Sequence, residues 1–144
     1  MPIHPRKSIR TALVALLAGA GSLAGSRVYS TRFYAVETAP FLAVFTLEDS
    51  FEAYSSLEPR VLERRVRVAI EAVVASSTAP EDQLDTLARE VEQAIETDFL
   101  LGAPPLLLLN QYEGTVVEVP DVEPTKKVLV ARLTYLMTYL DDLS

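Results

Sequence analysis

The sequence predicts an α+β fold, a mostly antiparallel or mixed sheet of four to five strands packed with two main helices, and three observations point to it. Two stretches, at about residues 5–18 and 80–98, repeat apolar residues at helical spacing. Between and after them lie runs of strand length that alternate apolar and polar residues or are apolar throughout. The strand-like runs follow one another in hairpin fashion, with helices only at intervals. With 144 residues, 49% hydrophobic and 23% charged, the chain is expected to form one domain over residues 1–144. That length suffices to bury a core without disulfides or metal staples.

The first helix is expected from Pro5 to Ala18, with Ile9, Leu13, Leu16 and Leu17 on one face and Gly19 as its stop. The same stretch, IRTALVALLAGAGSLA after Pro5-Arg6-Lys7, has the outline of a secretory signal, which would suit a secreted small binding domain. Against that, Arg10 and Thr11 interrupt the apolar run and Gly19, Gly21 and Gly25 break it early. It is also shorter than the roughly 20 apolar residues that span a bilayer. Val28, Tyr29, Phe33 and Tyr34 then mark a short extended segment rich in β-formers. Residues 41–47 (FLAVFTL) form a near-continuous apolar run, expected of a strand covered on both faces. Residues 48–60 lose periodicity and gather acids, serines and Pro59, so a loop carrying Phe51 and Tyr54 is expected.

From residue 61 to 75 the chain alternates. Val66, Val68, Ile70, Ala72 and Val74 fall on one face and Arg65, Arg67 and Glu71 on the other, as in a long half-buried strand. Thr78 with Glu81 matches a capping box at the start of the second helix. That helix is predicted to bury Leu84, Leu87, Ala88, Val91, Ala94 and Ile95 and to turn Asp82, Asp85, Arg89, Gln93 and Glu96 to water, with Asp85 and Arg89 paired at i, i+4. Gly102, Pro104 and Pro105 close it off. Residues 106–119 read as a strand with Gly114 as a bulge, and the 106–109 leucine run as its buried part. After a turn at residues 120–125, a last strand over 127–139 places Leu133, Tyr135, Met137 and Tyr139 in the core.

Composition excludes several chemistries. The sequence has no cysteine, so disulfide frameworks, thiolate metal sites and cysteine nucleophiles are out, and a single histidine, His4, disfavours histidine-rich zinc sites and a Ser-His-Asp relay. No catalytic, metal or cofactor residues are assigned. Acid pairs such as Glu81/Asp82, Glu90/Glu92 and Asp141/Asp142 are what twenty acids in such a chain produce by chance, and GAGSLAG at 19–25 follows a helix and lacks the Lys-Ser/Thr ending of a phosphate loop. The net charge of −7 is unevenly spread. Residues 1–36 hold Arg6, Lys7, Arg10, Arg27 and Arg32 and no acid, while the remainder is strongly acidic, a field that repels nucleic acid. Arg64, Arg65 and Arg67 are split between strand faces, which favours a salt-bridging sheet surface over a phosphate site. Large aromatics in a polar segment suit a protein interface, and Phe51 and Tyr54, with Arg27, Arg32, Arg65 and Arg67, are the candidate interface residues.

The segments HPRKSIR, RVYSTRFYAVETAPFLAVFTLED, RRVRVAIEAVVAS, EDQLDTLAREVEQAIE and VLVARLTYLMTY, in this order, resemble the tail-terminator proteins of long-tailed bacteriophages, the minor tail protein U type. The resemblance covers nearly the whole chain; it departs from the family pattern in the longer apolar stretch at 104–109. It implies a structural virion protein without enzymatic activity or cofactor, a homo-hexameric ring on the head-proximal end of the tail tube. Such a ring stops polymerisation of the tail tube protein and presents the surface that meets the head–tail connector. DNA would pass through its lumen without specific binding, and no membrane is involved. A head–tail connector or tail completion protein is the nearest alternative.

Overall fold

The computed structural model describes residues 3–30, 39–54, 61–76, 78–102, 107–120 and 127–142. Its elements run α1 (Pro5–Ala18), β1 (Val28–Tyr29), β2 (Phe41–Tyr54), β3 (Val61–Ser76), α2 (Pro80–Thr97), β4 (Leu107–Glu118) and β5 (Lys127–Asp142). The five strands form one sheet in the order β1-β2-β3-β5-β4. β1 is parallel to β2 and every other pairing is antiparallel. The architecture is therefore α+β with a mixed sheet. Expectations placed on Phe33 and Tyr34, on residues 55–60, on Leu106 and on the 121–125 turn lie outside the described residues.

Both helices pack on the same face, α1 over β1 and β2 and α2 over β3 and β5. Ile9, Leu13 and Leu17 of α1 and Leu84, Leu87, Val91, Ala94 and Ile95 of α2 are buried there. They meet the alternate residues of β3 from Val66 to Val74 and of β5 from Leu129 to Tyr139. The apolar stretch that resembles a signal is thus one side of the core, and cutting it away would uncover Leu42 and Val44 on β2. Among the described residues no helix is long and apolar enough to cross a membrane.

Four local expectations need correction. β2 does not give way to a loop at residue 48 but continues to Tyr54, because a bulge at Leu47 and a second irregularity at Glu52 let the strand keep its pairing with β3 while its polar residues change faces. The 106–109 leucine run is not buried throughout: Leu107 is, but Leu108 and Leu109 are exposed, since β4 is an edge strand. The expected Thr78 cap does not form. Pro80 occupies the first turn and Ala79 is the N-cap without a side-chain bond, while Thr78 engages Ser76 instead. Arg89 pairs with Glu92, three residues on, at 3.5 Å. The bulge expected at Gly114 is present, with Gly114 at φ 123°, a backbone geometry that suits glycine.

His4 has a structural use that its sequence context did not reveal. It is the N-cap of α1, and its Nδ1 accepts the Arg6 backbone N–H at 3.1 Å. Only the neutral ring offers that lone pair. Burial, and then the charges of Arg6 and Arg64, lower its pKa below the ordinary value of 6.5. A histidine with a depressed folded-state pKa contributes stability above its unfolded pKa and loses it as pH falls through the folded one. A cap of this kind is worth about 1 kcal/mol. Acidification below about pH 6 should therefore loosen the start of α1. Proton NMR of the single imidazole checks this: a midpoint below 6.5 is expected, and a midpoint at or above it refutes the cap.

Candidate assembly surfaces

Alternation along β3 decides where its three arginines go. Arg64 faces the helices and Arg65 and Arg67 the opposite side, in keeping with their registers against Tyr139, Thr138 and Leu136. Arg67 stands between Glu48 of β2, which it contacts closely, and Glu113 of β4, which it holds at 2.6 and 2.9 Å. That hydrogen bond keeps the Glu113 carboxyl below its ordinary pKa. The result is a salt-bridged belt across the sheet, as the sequence implied. Farther along the same face, Arg132 binds the buried Glu71 at 3.1 Å. Arg65 is exposed on this surface.

The other candidate residues divide. Phe51 is 58% exposed, on a strand and not in a loop. Tyr54 closes β2, and its side chain, like Arg32 as a whole, lies outside the described residues. Arg27 is occupied within its own chain. Its Nε donates to the Pro40 carbonyl at 2.8 Å and its terminal nitrogen to that of Leu23 at 3.2 Å, tying the connection after α1 to the start of β2.

Arg64 belongs to a polar cluster that sequence reading missed. The Leu47 bulge shifts the phase of β2, so that Asp49 points toward the helices with its side chain only 2% exposed. Asp49 accepts from the Tyr139 hydroxyl at 2.9 Å and from Arg64 at 3.4 Å, and Arg6 of α1 approaches to 3.5 Å. Arg64 also donates to Asp141 at 2.8 Å. Burial, followed by the bond to Asp49, raises the Tyr139 pKa, so its hydroxyl remains a donor. Each polar group has a partner, which marks a structural clamp between α1, β2, β3 and β5.

Most of the exposed apolar residues lie toward the two lateral ends of the sheet, Phe99 after α2 and Leu140 on β5 being the others. Leu108, Leu109, Tyr112, Val116, Val117 and Val119 lie on β4 or just beyond it, with Val117 at 57% and Val119 at 70% exposure. Ile3, Leu47 and Phe51 lie at the opposite end, around α1 and β2, and Leu23, whose N–H donates to Glu90 of α2, lies between the helices. Such patches mark contact sites more often than chance exposure does. Between α2 and β4 a groove of 360 Å³ is lined by Arg89, Glu92, Gln93, Ile95 and Glu96 above and by Tyr112 and Tyr135 below. The two tyrosine rings stack at 4.9 Å and 21°. A usable signal for this surface was present in Val116, Val117 and Val119: apolar residues on successive positions of a strand face both ways, and two helices on one side cannot cover both.

No family model matches the chain, and no curated protein is similar to it in sequence. Among solved structures the chain is similar to a chain from the virion of a native gene transfer agent particle, with a TM-score of 0.62 at 12% identity, over 96% of this chain and 100% of that one.

Proposed function

We propose that the chain is a structural, non-enzymatic protein of a phage-like virion, and that it acts as a tail terminator: a homo-hexameric ring on the head-proximal end of the tail tube. The observation that carries the virion role is the likeness, over 96% of this chain and the whole of the other, to a component of a gene transfer agent particle. The terminator role rests on the order of segments HPRKSIR to VLVARLTYLMTY, which resembles that family. Apolar patches at two different ends of one sheet support ring closure, because a head-to-tail contact joins unlike surfaces and closes when the rotation divides a circle. On this reading the tail tube protein and the head–tail connector protein are its partners. DNA passes through an acidic lumen that has little affinity for phosphates.

Light-scattering mass of the purified protein, alone and mixed with tail tubes, tests the proposal. A species of six chains, in solution or on tubes, is expected. A monomer that leaves tubes unaltered would contradict it.

A further inference from the structure

We infer that the contact between neighbouring copies is a seam in which the α1 end of one copy completes the α2–β4 end of the next; the inference rests on the ring reading above. In each copy the helix layer stops short of the sheet. α1 covers β1 and β2, α2 covers β3 and β5, and the helix side of β4 is left with Tyr112 and Val117 exposed. The missing position is at the opposite lateral end from α1. A head-to-tail neighbour would therefore bring its own α1 to the vacancy and its β1 end to the β4 edge in one step, continuing both layers.

The charges select the same partner. α2 carries six acids, Glu81, Asp82, Asp85, Glu90, Glu92 and Glu96, against the single base Arg89. α1 carries Arg6, Lys7 and Arg10 and no acid. Arg6 and Arg10 are engaged within the chain, with Asp49 and Thr46, whereas Lys7 is exposed. Lys7, Thr11 and Ala15 make an outward stripe along α1 at i, i+4 spacing, narrow enough for close approach. The ends also match. α1 begins beside Asp49 and Tyr139, and the residues after α2 reach the same end of the sheet, where the Asn110 side chain donates to the Phe99 carbonyl. A rotation about an axis along the strands keeps those ends together and carries Lys7 toward Glu96 and the stacked tyrosines. There an ammonium finds the Glu96 carboxylate and an aromatic face, while Arg89 of the same groove is paired with Glu92.

Charge reversal in the full chain tests the seam. Lys7→Glu and Glu96→Lys should each lose the assembled species at concentrations where wild type forms it, and the double variant should regain it. Thermal melts of all three should match wild type, because both residues are exposed. Assembly that survives each single reversal would overturn the seam and leave the ring reading standing. The absence of cysteine permits a second measurement. Lys7→Cys and Glu96→Cys chains mixed under oxidation should give a mixed disulfide dimer, and neither alone should give one. Equal cross-linking within each single-variant sample would overturn the head-to-tail arrangement. Mixed dimers from a protein that never caps tubes would overturn the ring reading and leave the seam standing. Wild type that neither assembles nor cross-links overturns both.

Discussion

Replacing Leu13 by Ala is expected to lower the stability by about 3 kcal/mol. Leu13 is fully buried, one helical turn from Ile9 and from Leu17 on the single stripe by which α1 meets the sheet. Truncation removes three carbons from a contact that neighbours on two layers shape, and the rigid sheet below cannot close the gap. For a chain of this length the loss corresponds to roughly 10 °C in melting temperature, read by calorimetry or circular dichroism. Ala15, exposed on the other side of the same helix, gives the control: Ala15→Ser should shift the melt by no more than about 0.5 kcal/mol. A Leu13→Ala protein that melts with wild type would mean that α1 is not part of the core. The secretion alternative would then regain its footing, and intact mass after expression would show whether about 25 residues had been removed.

Asp49→Ala is expected to cost a comparable amount, about 3 kcal/mol. Its removal leaves the buried Tyr139 hydroxyl without its acceptor and takes a counter-charge from Arg64 and Arg6. Asp49→Asn keeps an acceptor for Tyr139 and should recover part of the loss. A double-mutant cycle of Asp49→Ala with Tyr139→Phe isolates that bond, with a coupling of about 1 kcal/mol expected. The penalty should persist in about 1 M salt, since the carboxylate is shielded from solvent. The Arg67 belt is the contrasting case. It is more exposed, so Arg67→Ala should cost less than about 1 kcal/mol and the difference should shrink with salt. An Asp49→Ala variant as stable as wild type would show that the clamp holds nothing together.

How much of this was legible in the sequence depended on whether a residue's surroundings are local. The amphipathic stripes of α1 and α2 and the alternation of β3 and β5 depend on one period each, and they were readable to within a few residues. Phase changes were not. The Leu47 bulge reverses which side of β2 faces the helices, and nothing in LEDSFEAY announces it, so Asp49 looked like one more acid in a polar loop. The Thr78 and Glu81 spacing was a valid local signal that lost to another, Pro80, which fixes the backbone one step later. The exposure of Leu108 and Leu109 was hidden for a different reason. Strand position in a sheet is a tertiary fact, and an apolar run reads the same at the centre and at an edge until the order β1-β2-β3-β5-β4 is known. Of the candidate contact residues, Phe51 stood out as an aromatic in an acidic segment and is exposed, whereas the two intrachain bonds of Arg27 were not legible, because basic character alone does not separate a surface charge from a donor to two carbonyls.

The ring on the tube end is the claim on which the rest depends, and electron microscopy of tail tubes polymerised with and without this protein tests it most directly. Tubes of arrested length with a six-fold collar at one end only are the predicted result. Tubes that grow unchecked with bare ends, while the protein stays apart as single chains, would contradict it.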